Sequence, residues 1–152
     1  MAEIKNLLVE GTFKTPHIDF NRMTGDLILS GKSIPENAAN VYDPLLEWIA
    51  EYIKAPCNTT NLRLNLEYFN TASSIWLAKI IKTLSTINKP EYVLLIHLYV
   101  DIEDTDTLDY DEIKGIMGSL IDNIGEPTLS VGIKIYGLDE DGKIVRESQI
   151  FI

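Results

Sequence analysis

Leu62-Arg63-Leu64-Asn65-Leu66-Glu67-Tyr68-Phe69-Asn70-Thr71-Ala72-Ser73-Ser74-Ile75-Trp76 changes hydrophobic period partway along, and that change decides the fold. Leu62, Leu64, Leu66 and Tyr68 alternate with Arg63, Asn65 and Glu67, the period-two pattern of a strand. Beyond Trp76, the apolar residues Leu77, Ile80, Ile81 and Leu84 recur at helical spacing. A strand therefore feeds directly into a helix expected over 71–88, which Asn88 and Pro90 end. Between the two lies a cluster of small hydroxyl residues at a helix N-terminus, where backbone N–H groups lack partners and the helix dipole is positive. Asn70 or Thr71 caps the helix there. A capping hydroxyl also stands where a phosphate is stabilised, so Thr71 is a candidate phosphorylation site, and the two roles are compatible.

Tyr92 to Val100 is a nearly continuous apolar run, read as a central strand buried on both faces. The segments 62–69, 71–88 and 92–100 then form a crossover unit with parallel strands. His97 lies within the apolar run and reads as a satisfied core histidine, the other histidine being His17. Upstream, His17–Phe20 and Asp26–Ser30 read as two strands joined by a turn through Asn21 and Gly25, with Gly31 as terminator. The segment up to about Thr15 carries no clear pattern and is expected to fray. Ser33-Ile34-Pro35-Glu36 has capping-box spacing, and Asp43-Pro44 offers a second helix start. Leu45, Trp48, Ile49, Tyr52 and Ile53 share one face, which predicts an amphipathic helix over 44–54.

The acidic stretch 101–112 fails the EF-hand pattern, because no glycine takes the sixth position and Leu108 breaks the alternation. It reads as a solvated loop leading into a third helix marked by Ile113, Ile116, Met117, Leu120, Ile121 and Ile124. Leu129 to Ile135 alternates, turns at Asp139-Glu140-Asp141-Gly142 and returns to Ile152 as a C-terminal β-hairpin over 128–152. The sum is an α/β fold in one domain, 1–152, with about three helices on a mixed sheet.

A net charge of −10 argues against nucleic-acid or anionic-membrane partners. The single cysteine, Cys57, excludes an internal disulfide and suits the cytoplasm. No signal peptide or membrane-spanning run is present. The chain lacks a P-loop, a dinucleotide fingerprint, a GxSxG elbow and a Cys/His metal constellation, so no catalytic residue, cofactor or metal ligand is assigned.

Two motifs carry a family resemblance. Gly31-Lys32-Ser33-Ile34-Pro35-Glu36-Asn37-Ala38, followed by Pro44-Leu45-Leu46-Glu47-Trp48, is one, and Tyr68-Phe69-Asn70-Thr71-Ala72-Ser73-Ser74 is the other. In order and spacing they resemble the SiaC family of bacterial regulatory phosphoproteins over residues 14–123, with a fold similar to STAS domains and anti-sigma-factor antagonists. The resemblance implies that Thr71 is the phosphorylated residue, written by a Ser/Thr protein kinase and erased by a PP2C-type phosphatase. It also implies an effector protein bound in the unmodified state, a diguanylate cyclase in the family example, with biofilm and cyclic-di-GMP control as output. Ala72 departs from the family, where a serine is common, and the hairpin extends past the family core.

Helix geometry adds a separate clue. At about 100° per residue, Ile75 falls opposite the stripe of Leu77, Ile80, Ile81 and Leu84, and on the same face as Thr71 four residues earlier. The expected docking surface comprises Asn70, Ser73, Ser74 and Ile75, with Pro35, Glu36 and Asn37 from the neighbouring loop. A lone exposed isoleucine needs no such role. Two other classes stay open, a constitutive scaffold or oligomer-forming module and a small-molecule-binding enzyme.

Overall fold

The computed structural model describes residues 5–101, 118 and 124–151. The elements in chain order are β1 (Leu7–Val9), β2 (His17–Phe20), β3 (Asp26–Ser33), α1 (Ala38–Tyr52), β4 (Thr59–Phe69), α2 (Thr71–Leu84), β5 (Val93–Asp101), β6 (Ser130–Leu138) and β7 (Ile144–Phe151). The strands form one mixed sheet in the order β1-β2-β3-β4-β5-β6-β7. β3, β4, β5 and β6 run parallel, while β1–β2, β2–β3 and β6–β7 pair antiparallel.

Strand periodicity assigns the two faces of this sheet. Leu27, Leu29, Leu62, Leu64, Leu94, Ile96, Val131, Ile133 and Ile135 are buried and join one core with Tyr42, Leu45, Ile49 and Tyr52 of α1 and Leu77, Ile80, Ile81 and Leu84 of α2. Both helices therefore pack on the same side of the sheet. The expected α/β architecture holds, with two helices among the described residues. The acidic stretch and the third expected helix lie outside them, apart from Asp101, Gly118 and Ile124.

Four local expectations differ from the structure. From Lys5 on, the opening segment does not fray, since Leu7–Val9 pairs with Ile18–Phe20 and Trp48 Nε1 donates to the Lys5 carbonyl at 2.7 Å. Asp43-Pro44 does not start a second helix, because Pro44 lies inside a continuous α1. Pro44 sits on the exposed side, where water can serve the carbonyl that its missing N–H leaves free. Ser33 is not a helix cap but the last residue of β3, and Asn37 takes the N-cap position of α1. Gly31 does not end its strand. It adopts a φ of +94°, and the strand continues through a register shift to Ser33.

β5 also differs from a strand wholly buried on both faces. Leu94, Ile96 and Leu98 are buried under the helices, whereas Leu95 and Tyr99 on the reverse face are half-buried. His97 on that face is 3% exposed and fully bonded, Nδ1 with the Tyr136 hydroxyl and Nε2 with Asn61 Oδ1, both at 2.8 Å. Tyr136 stacks on Tyr99 with centroids 4.7 Å apart, and Arg63 Nη1 donates to the Tyr99 hydroxyl at 3.0 Å. The histidine is a satisfied structural residue, as its sequence setting predicts. The turn between β2 and β3 shows why Gly25 is required. Its φ is +79°, and a Cβ there would lie 2.5 Å from the Thr59 carbonyl oxygen.

Burial, reinforced by the positive charges of Arg63 and Lys134, lowers the His97 pKa to about 4. The neutral ring is the folded form, so its contribution to stability is complete above the unfolded value near 6.5 and is lost as pH falls toward 4. Chemical denaturation at pH 7 and pH 4 should show wild type losing about 2–3 kcal/mol more than His97→Gln over that interval. Equal losses would remove His97 from the acid sensitivity.

Candidate functional site

The junction between β4 and α2 is shaped by an irregularity in the parallel sheet. Leu66 pairs with Gly31, but Tyr68 pairs with Lys32, so Glu67 is an extra residue in β4 and Phe69 comes opposite Ser33. Bulges of this kind re-aim the chain next to functional positions. Here the bulge delivers the chain to Asn70 with its N–H 3.0 Å from the Ser33 carbonyl.

Asn70 is the N-cap of α2, in an extended conformation, and its Oδ1 accepts the Ser73 N–H at 2.9 Å. The capping role belongs to Asn70, leaving Thr71 as the first helical residue. Ser73 Oγ donates to the Ser33 carbonyl at 2.8 Å, and Ser33 Oγ donates to Ser73 Oγ at 2.8 Å. With the single Ser33 hydroxyl proton used there, the Tyr42 hydroxyl at 2.6 Å is the donor to Ser33 Oγ. Ser33, Ser73 and Tyr42 are each 0% exposed. Three buried hydroxyls thus tie the end of β3, α1 and the first turn of α2 together, all satisfied. Burial pushes the Tyr42 phenol pKa up, against the lowering effect of the nearby Ser33 and Ser73 hydroxyls, so it remains a neutral donor.

Ser73 thus lies off the docking surface that the sequence predicts: its side chain is inside, where it bolts α2 to β3. Pro35 is also buried, so of the neighbouring loop only Glu36 and Asn37 are exposed. Asn37 makes no side-chain cap bond. Glu36 Oε1 is 2.9 Å from Lys14 Nζ, and that hydrogen bond, followed by the lysine charge, lowers its carboxyl pKa. Ser74 is half-buried, with Oγ donating to the Thr71 carbonyl at 2.7 Å.

Thr71 is exposed, as is Ala72. Ile75, one turn on, is 55% exposed, opposite the buried stripe as helix geometry requires. Trp76 is half-buried at the stripe's edge, stacked on Tyr42 at 6.1 Å with Lys79 Nζ 4.3 Å from its ring centroid. Thr71 and Ile75 are thus exposed on the first turns of α2, with Asn70 and Ser74 half-buried beside them, while Glu36 and Asn37 are exposed on the loop after Ser33, the residue bonded to Asn70. Further residues stand at the end of β3. Phe13 is 85% exposed, and Lys32 Nζ stands 5.0 Å from its ring centroid. Lys14 joins the site through Glu36. No local sequence pattern marks these positions, because they meet only where the chain before β2 lies beside the end of β3.

Residues 9–114 match the SiaC family regulatory phosphoproteins. The chain belongs to the SiaC family. A Pseudomonas aeruginosa (strain UCBPP-PA14) protein, the uncharacterized protein PA14_02130, is 30% identical over 70 residues, covering 46% of this chain and 56% of that relative. The chain thus spans little more than half the length of that relative. Among solved structures, apo-SiaC from Pseudomonas aeruginosa superposes with a TM-score of 0.63 at 20% identity, over 84% of this chain and 98% of that one. SiaC in complex with the diguanylate cyclase SiaD, which it activates, also gives 0.63 at 21% identity, over 82% and 97%. At identities this low the superpositions show likeness of fold alone. No helix among the described residues is long and apolar enough to cross a membrane.

The hydroxyl triad predicts a specific stability pattern. Tyr42→Phe removes the donor to Ser33 and should cost about 1–2 kcal/mol, and Ser73→Ala a similar amount. In a double-mutant cycle by urea denaturation the two should couple by at least about 0.5 kcal/mol, because they share Ser33. Strict additivity would show that the bolt does not act as a unit.

Proposed function

We propose that this protein is a non-catalytic regulatory phosphoprotein in which modification of Thr71 controls the binding of an effector protein. The observation that carries the reading is the division of labour among the hydroxyls of one helical turn. Ser73 is sealed in the core and Ser74 is bonded to backbone, whereas Thr71 is exposed with no side-chain hydrogen bond to the described residues. A Ser/Thr kinase moves a phosphoryl group from ATP to Thr71 Oγ1, which gives up its proton, and a PP2C-type phosphatase returns the hydroxyl by hydrolysis. Family membership supports both partners.

In the unmodified state the effector packs on Ile75, Asn70, Thr71 and Ser74, with Glu36 and Asn37 at the margin. The solved relative that activates a diguanylate cyclase supports an effector of that class, with cyclic-di-GMP as its product and a cytoplasmic setting. A phosphate adds about −1.5 to −2 charge, and covering it with a partner is unfavourable by several kcal/mol unless that partner supplies cations. The fold tolerates the same group, because the positive end of α2 favours an anion at its first residue. Modification therefore acts on the surface without undoing the domain.

Intact-mass analysis of the protein from its own cells should find one phosphate, localised to Thr71. Thr71→Ala should bind a diguanylate cyclase of the same cell at the unmodified affinity under all conditions. Thr71→Asp should bind at least about tenfold more weakly, with a melting temperature unchanged or raised by at most a few degrees. Equal affinity of the two variants by titration calorimetry would sink the proposal.

A further inference from the structure

We infer that Lys14 is the counter-charge for a phosphate on Thr71, recruited by leaving Glu36. This rests on the reading of Thr71 as the modified residue. Three segments lie side by side at the site. The Ile34 N–H donates to the Lys14 carbonyl at 2.8 Å, and the Asn70 N–H donates to the Ser33 carbonyl at 3.0 Å. Two strand spacings therefore separate Lys14 from Asn70, about 10 Å across the sheet direction, with Thr71 the next residue along the chain. A four-carbon lysine stem and an extended phosphothreonine together bridge a gap of that size.

The backbone beneath Lys14 is already set. Thr12 Oγ1 accepts the N–H groups of Lys14 and Thr15 at 3.2 and 3.0 Å, and the Thr12 N–H returns to the Thr15 carbonyl at 2.9 Å. Only the side chain has to swing. Its present partner is weakly held, since both members of the Lys14–Glu36 pair are largely solvent-exposed, at 55% and 85%. A phosphate carries more charge than a carboxylate and offers three acceptor oxygens, so it takes the ammonium in competition. The lowered carboxyl pKa of Glu36 shows that the lysine already makes the space above this loop favourable to an anion. The nearby lysines are otherwise engaged, Lys32 over Phe13 and Lys79 over Trp76.

No covalent bond changes in this exchange, but two things happen to the surface. The phosphate is partly neutralised toward the protein, and the Glu36 carboxylate is released toward the partner. The docking area gains a freed acid as well as a phosphate, beside the exposed ring of Phe13.

The test uses the full chain with phosphothreonine installed at position 71 during synthesis, read by phosphorus NMR titration. The phosphate's second pKa, near 6 in an unstructured chain, should be lower in the folded protein. Lys14→Gln should raise it by about half a pH unit, the scale of an exposed ion pair, while Lys14→Arg keeps it low. Glu36→Gln should lower it further by removing the competitor, and Lys54→Gln should leave it unchanged. An unchanged value in Lys14→Gln with the native amide spectrum retained overturns the assignment, as does a rise seen only in Lys32→Gln. The result separates from the switch itself. Loss of the Lys14 effect with a persisting difference between Thr71→Ala and Thr71→Asp leaves the switch without this lysine. The reverse outcome keeps the counter-charge and removes the effector.

Discussion

The Ser33 carbonyl oxygen accepts both the Asn70 N–H and the Ser73 hydroxyl, and the rest of the site depends on that shared acceptor. It joins the end of one parallel strand to the start of the helix that follows the next. Because Ser33 also receives the Tyr42 hydroxyl, α1 is fixed to the same point. Ser33, Ser73 and Tyr42 are buried, so leaving any one of their hydroxyls unpaired would cost about 1–3 kcal/mol. A small polar cluster in an otherwise apolar core is therefore a strong constraint on geometry. It holds the first turn of α2, with Thr71 exposed on it, against the end of β3.

Packing sets what that base can show to solvent. α2 buries Leu77, Ile80, Ile81 and Leu84 against the sheet, and the same rotation turns Ile75 outward. Apolar area and an exposed hydroxyl share a face because Ile75 and Thr71 are four residues apart, so the sequence spacing already contains the juxtaposition. The reverse side of the sheet solves a different problem. There Arg63, His97, Tyr99 and Tyr136 cover polar strand residues by stacking and bonding with one another.

Much of this was legible in the residues. The alternation of Leu62, Leu64 and Leu66 and the helical stripe after Trp76 located β4 and α2, and the turn at Asp139-Gly142 located the final hairpin. What misled were short-range signals that tertiary structure overrode. Ser33 with Glu36 has capping-box spacing, but a buried acceptor network claimed the serine first. Pro44 looks like a helix start, yet its exposed position lets the helix run through it. Ser73 reads as one more surface hydroxyl, and only the parallel register, which places Ser33 beside Asn70, reveals it as internal. The site's outer ring, Phe13, Lys14 and Lys32, depends on pairing between segments far apart in sequence, so no local pattern marked it.

Strand order in space equals strand order along the chain. Each new strand therefore has its neighbour already in place when it leaves the ribosome, and no closure must wait for a distant segment. Loop-closure entropy is met in small steps rather than one large one, which favours fast assembly for a mixed sheet. The hydroxyl bolt completes as soon as α2 emerges, before β5 is made. Vectorial synthesis can thus finish the β3–α2 junction while the far edge of the sheet is still being translated.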